Sequence, residues 1–190
     1  MEKQIISKLL SWYAKSKRDL PWRVLQKNNL PNPYFVFVSE YMLQQTTVST
    51  VKTRFEEFTK KWPTLKDLAK TTEPKILKFW SGLGYYSRAR NLLKAAKIID
   101  KNFNCKIPNK YDDLISLPGI GDYTAKAIMG IGYNASVMPL DANIDRMFAR
   151  IYALNKPLIK IKKQLLEKSK DFCSQQQASN LIQSFMDYGS

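Results

Sequence analysis

Glu40 and Asp141 are the two residues whose surroundings could do acid–base chemistry. Glu40 lies in SEYMLQQT, Ser39 to Thr46, directly after the apolar run Tyr34-Phe35-Val36-Phe37-Val38, with Val36 and Leu43 framing it. That spacing steers a carboxyl toward the interior, where desolvation raises its pKa and lets it hold a proton near neutrality. Asp141 closes the Gly- and Pro-bearing stretch that begins at Gly130, which reads as a loop, and precedes a helix expected from Asn143 to Leu154. As an N-cap it should meet amide donors and the helix dipole, which depress a carboxyl pKa and keep it ionised. Each acid also has a structural reading: Glu40 as a buried acid paired with a nearby Arg, Asp141 as a cap and no more.

Composition narrows what these acids can work with. The 190 residues contain no His, which removes Ser-His-Asp and Cys-His catalysis and every His-based zinc site. Two cysteines, Cys105 and Cys173, are too few for a thiolate-only zinc or iron–sulfur site and read as free thiols in a reducing compartment. Lys and Arg number 31 against 16 Asp and Glu, a net +15 spread along the chain, which favours a polyanionic partner, nucleic acid before membrane surface. A lysine-rich proteome with merely basic solvated faces is the bland alternative. The N-terminal residues are charged early and lack a long apolar core, so neither a signal peptide nor a membrane span is expected, and the chain reads as cytoplasmic.

A backbone site for phosphate is legible at Leu117-Pro118-Gly119-Ile120-Gly121, between short helical patterns at Asp112–Ile115 and Tyr123–Ala127. Gly119 and Gly121 allow a hairpin whose N–H groups point outward at a helix N-terminus with no side chain in the way. Such a site holds the backbone of DNA without reading its sequence. A helix–helix turn that only packs is the structural alternative.

The elements that must position these residues are all helical. Apolar residues recur at helical spacing from Ile5, Ile6, Leu9, Leu10 and Tyr13 through to Leu181, Ile182, Phe185 and Met186. Only Phe35 to Val38 is β-prone, and no strict alternation persists, so an all-α fold of about ten short helices is predicted.

Taken together, Leu20-Pro21-Trp22-Arg23, Ser39–Thr46, Ser81-Gly82-Leu83-Gly84-Tyr85-Tyr86-Ser87-Arg88-Ala89-Arg90-Asn91, the hairpin, Pro139-Leu140-Asp141 and Phe185-Met186-Asp187-Tyr188-Gly189 resemble, in order, the helix-hairpin-helix superfamily of DNA glycosylases. Within it the chain resembles the catalytic part of the MutY-type adenine DNA glycosylases. The resemblance implies two lobes: a six-helix lobe over residues 28–134 with Glu40 and the hairpin, and a second from residues 1–27 plus 135–190 with Asp141, the active cleft lying between. It implies removal of adenine from duplex DNA, opposite 8-oxoguanine or guanine, by a monomer. Glu40 would protonate the leaving adenine and Asp141, with Asn143 beside it, would stabilise charge on the sugar, a division suited to an oxocarbenium-like transition state.

Tyr123 stands where bifunctional relatives such as endonuclease III carry a lysine; a phenol forms no Schiff base, so hydrolysis without strand cleavage is implied. By the same resemblance Arg18, Trp22, Arg23, Leu43 and Asn143 line the adenine pocket and Asp187 is an acidic pocket residue. Gln45 and Tyr85 wedge the strand opposite the extruded base, with Thr46 and Leu83 beside them. Gly119, Gly121 and Lys126 would contact phosphate.

Ala142 stands where Gly is more usual, and Asp145 would add negative charge near the DNA. Family members continue into a Cys-rich loop holding a four-iron, four-sulfur cluster; this chain lacks those cysteines, so no metal and no cofactor are expected in it. The alternatives carried are a thymine or uracil mismatch glycosylase and a DNA-binding module without catalysis.

Overall fold

A computed structural model describes residues 1–173 and 177–190, and the regular structure among them is helical apart from one isolated antiparallel bridge between Leu25 and Pro31. Eleven α-helices are present among the described residues, as the periodicity predicts: α1 (Glu2–Ser16), α2 (Pro33–Leu43), α3 (Val48–Lys61), α4 (Leu65–Ala69), α5 (Glu73–Trp80), α6 (Ser87–Asn102), α7 (Tyr111–Ile115), α8 (Asp122–Ala127), α9 (Ala142–Ile151), α10 (Leu158–Ser169) and α11 (Ala178–Tyr188). No helix among them is long and apolar enough to cross a membrane.

The segment most open to misreading as a strand is α2. Asn32 caps it by accepting from the Tyr34 amide at 2.9 Å, and Pro33 occupies the first turn, where its missing N–H costs nothing. These start signals outweigh the β-preference of Phe35 to Val38 because the helix is buried on nearly every side, with Val36, Phe37, Val38, Tyr41 and Met42 all in the core. Glu40 is carried into that interior by the same helix.

Around α2 pack α3, α6, α8 and the residues that follow α8. Aromatic contacts tie the far side: Phe58 meets Trp62 and Phe79, and Tyr34 donates its hydroxyl to the Trp62 carbonyl at 2.8 Å. Elsewhere α1 lies against α11, α9 against α10 and α11, with Phe148, Phe172 and Phe185 in mutual contact. One connected cluster of buried residues runs through both groups of helices.

Three local expectations are corrected. Gly130 and Gly132 belong not to a loop but to a wider helical turn, Ile128–Gly132, continuing α8; a Cβ on Gly130 would stand 2.2 Å from Ile182 Cδ1 of α11, so this turn is the close contact between α8 and α11. The helix after Asp141 stops at Ile151 rather than Leu154, because Ala153 turns left-handed at φ 49°. Asp145, read as added negative charge near the DNA, is not a surface carboxylate: it is buried, and its Oδ1 has no hydrogen-bond partner.

Candidate active site

A cleft of about 530 Å³ brings together residues far apart in the chain: Arg18, Trp22 and Arg23 from the N-terminal segment, Glu40, Leu43, Gln45 and Thr46 from α2 and its exit, Tyr123 from α8, and Asp141 and Asn143 at the start of α9. Glu40 and Asp141, 101 positions apart (141 − 40), share this cavity. Burial, with the negative charge of Asp141 adding to it, pushes the Glu40 carboxyl up to about 8, against an opposing hydrogen bond from Tyr123. Glu40 is 6% exposed and no Arg pairs with it, so the paired-acid alternative is not the arrangement found among the described residues. Tyr123 itself is held well above the phenol range, first by burial and then by the two carboxylates, so it is a neutral hydroxyl that donates to Glu40.

Asp141 caps α9 as anticipated: Oδ1 accepts from the Ile144 amide at 2.7 Å, and Oδ2 accepts from Asn143 Nδ2 at 3.3 Å. Its pKa, however, is raised rather than depressed. Burial in the cleft outweighs the cap, the Asn143 contacts and the charge of Arg146, so the helix terminus offsets only part of the desolvation. The two acids thus differ in degree rather than direction. Ala142 sits in the first turn of α9 and is not among the residues with positive φ, so it adds no backbone strain where Gly is usual.

Asp187 does not line the cleft. Its side chain is fully buried behind the wall and holds both arginines: Arg23 binds it through two bonds of 2.7 and 2.8 Å, and Arg18 through its side-chain Nε at 2.7 Å and backbone N at 3.0 Å. Burial acts to raise the Asp187 pKa, but the Arg23 and Arg18 contacts overcome it and hold the carboxyl below its usual value. Trp22 is itself mostly buried and packs edge-on against Phe55.

At the mouth, Gln45 is exposed at φ 56° and lines the cleft, whereas Tyr85 projects from a separate loop, 62% exposed at φ 45°. Leu83, expected beside them, is only 5% exposed and belongs to the core under its loop, which turns on Gly82 (φ 91°) and Gly84 (φ 69°).

The hairpin between α7 and α8 lies outside the cleft. Gly119 needs its φ of 83° and its lack of a side chain, since a Cβ would meet Asn91 Cβ and Tyr41 Cε1 at 2.9 Å. Tyr41 donates to the Pro118 carbonyl and Gln44 Nε2 to the Gly119 carbonyl at 3.3 Å, so α2 carries both the acid and the hairpin's anchor. Gly121 caps α8 with open space around it. Lys126 is already ion-paired to Asp122 at 2.8 Å, so any phosphate contact it makes must compete with that carboxylate.

Gln183 and Met186 of α11, Ile131, Val36 and Ser39 also line the cleft and were not anticipated. Gln183 is buried with its amide nitrogen bound to the Ser179 carbonyl and hydroxyl, at 3.1 and 3.2 Å. A buried Gln in an apolar helix face was the available signal. The residues present do not fit a four-iron cluster, which needs four thiolates: Cys105 and Cys173 are free and bonded locally, to Asp100 at 2.6 Å and to the Ser169 carbonyl at 3.5 Å, and no group of three or more metal-ligating side chains occurs among the described residues.

A helical fold with a glycine hairpin beside a two-carboxylate cleft defines a class, and the chain belongs to it: residues 38–175 match the HhH-GPD superfamily of base excision DNA repair proteins. It is similar to the adenine DNA glycosylase of Buchnera aphidicola subsp. Baizongia pistaciae (strain Bp), 44% identical over 148 residues, which are 77% of this chain and 41% of that protein. To the adenine DNA glycosylase of Homo sapiens it is 41% identical over 150 residues, 77% of this chain and 28% of that one. The chain therefore spans less than half the length of these relatives. A solved thermostable thymine-DNA glycosylase superposes with a TM-score of 0.83 at 25% identity, covering all of this chain and 86% of that one. An endonuclease III in a non-covalent DNA complex shares the fold, with a TM-score of 0.74 at 17% identity over 99% of this chain and 85% of that one.

Proposed function

We propose that the protein is a monofunctional base-excision glycosylase that removes adenine from duplex DNA opposite 8-oxoguanine or guanine. The observation that carries this reading is the cleft itself, in which Glu40, at about 8, keeps its proton at neutral pH next to Asp141 and Tyr123. With the adenine extruded into the cleft, Glu40 gives its proton to the base as the C–N bond breaks and the bonding electrons leave with the base. Positive charge then develops on the sugar, and Asp141, oriented by Asn143, offsets it. Water adds at the sugar carbon, and its proton returns to Glu40. Tyr123 donates to Glu40 but offers no amine, so the sugar is not captured and the strand stays intact.

The 41% and 44% identity to adenine DNA glycosylases favours adenine over thymine as the base removed. The 25% identity to a thymine-DNA glycosylase supports the fold and keeps thymine as the competing reading. We further propose the two lobes over residues 28–134 and 1–27 plus 135–190, action as a monomer in the cytoplasm, phosphate contact at Gly119 and Gly121, and insertion of Gln45 and Tyr85 into the duplex. The test is release of free base from duplexes with adenine or thymine in the mispair, with and without alkali. Adenine release with nicking only after alkali is expected. Thymine release without adenine release, or nicking before alkali, overturns the reading.

A further inference from the structure

Arg88, in the first turn of α6, is only 6% exposed, yet it pairs with no acid among the described residues. Its two terminal nitrogens spend their donors mainly on backbone, while Nε is buried without a partner among the described residues. Nη1 points at the carbonyls of Met42 (2.9 Å), Tyr41 (3.3 Å) and Gln44; Nη2 donates to the carbonyls of Leu83 (2.7 Å) and Gly84 (3.2 Å) and to Thr46 Oγ1 (3.0 Å). The first set closes the C-terminal end of α2, where carbonyls lack helical partners and the dipole favours a cation. In the second set the Leu83 and Gly84 carbonyls belong to the loop that carries Tyr85, whereas Thr46 follows Gln45 at the exit of α2. The same loop is held at its entry by Arg54, which donates to the Ser81 carbonyl at 2.8 Å, and at its centre by Trp80 Nε1, which donates to the Gly84 carbonyl at 3.1 Å.

Gln45 and Tyr85 both sit in the left-handed region without being glycine. Such backbone is strained for a residue with a Cβ and persists only where surroundings over-determine it. Among the described residues Arg88 is the one side chain bound to both segments, and its guanidinium carbon also lies 5.6 Å from the centre of the Tyr85 ring.

We propose that Arg88 is a positioning residue that couples the Gln45 and Tyr85 loops into one rigid probe, so that both tips enter a mispaired duplex step in fixed register. The proposal rests on the glycosylase reading only for the use of that probe. A planar fork of five donors can bridge two backbones; a lysine ammonium, with three donors at one point, cannot.

The test places 2-aminopurine opposite guanine in a duplex and measures its fluorescence on binding, alongside duplex affinity, circular dichroism and single-turnover adenine excision. For Arg88→Lys the expected result is native helicity, affinity within threefold, loss of most of the fluorescence rise, and excision slowed by about tenfold or more. In a Gln45→Ala/Tyr85→Ala background the same substitution should slow excision less than twofold, because the tips it positions are gone. Fluorescence and excision near the wild-type values in Arg88→Lys, or a loss that multiplies undiminished in the double variant, overturns the proposal. If Arg88→Lys does not fold, Arg88→Gln, which removes the buried charge, is measured in the same way. Failure of both to fold assigns Arg88 to stability alone and also overturns it. A wild-type protein that unstacks 2-aminopurine but releases no adenine leaves the coupling intact and refutes the adenine reading instead.

Discussion

At the scale of single residues, the cleft trades stability for a held proton. Glu40 keeps its proton up to about 8 in the folded chain, against an ordinary 4.5, so between those values the folded state binds the extra proton and stability falls as pH rises. Glu40→Gln removes that burden: it should be more stable than wild type by about 3 kcal/mol at pH 7, with the gap closing near pH 4, as read from urea unfolding at the two pH values. The same substitution should slow single-turnover excision by about 10²-fold or more. For the wild-type protein, excision should decline above about 8, where Glu40 loses its proton, and again at acid pH, where Asp141 is neutralised. Because the Asp141 pKa is raised, that acid limb should lie above the 3.8 of an ordinary aspartate, and a flat profile down to that value would contradict the assignment. The burial of Glu40 was legible in sequence from its apolar frame. The direction of the Asp141 shift was not, since a cap is a local signal whereas the desolvation comes from the other segments that fold around the cleft, α2, α8 and α11 among them.

At the scale of elements, the hairpin's two glycines should respond unlike each other. Gly119→Ala meets Asn91 and Tyr41 and a positive φ, and should cost about 1–3 kcal/mol in thermal or urea unfolding, with weaker duplex binding. Gly121→Ala, at ordinary φ in open space, should stay within about 0.5 kcal/mol of wild type in the same measurement. Asp187→Asn strands two arginines against a buried amide and should destabilise by about 3 kcal/mol, less at low pH; because the folded carboxyl titrates below its usual value, the stability it contributes is whole above that usual value and is lost as pH falls from there through the lowered folded value. Helix identity was readable almost throughout, even at α2, because caps and spacing act locally. What was unreadable was where helices touch. Gly130 and Gly132 look like loop residues until Ile182 and Pro33 are seen pressed against them, and Leu83 looks like a loop tip until its burial is known.

At the scale of the whole molecule, the net +15 predicts that duplex affinity is governed by salt. If about six phosphates are neutralised, the association constant should fall by about 10³ between 50 and 200 mM salt, as measured by anisotropy with a labelled duplex; an affinity indifferent to salt would remove the basic surface from the binding. The arginine pair in the wall of the cleft carries a consequence in time. Arg23 leaves the ribosome 164 residues ahead of Asp187, the carboxylate that fixes it. At synthesis speeds of about 5–20 residues per second that interval is roughly ten to thirty seconds. A nascent chain can therefore expose its hairpin and Glu40 helix well before its cleft has a finished wall, which needs α11.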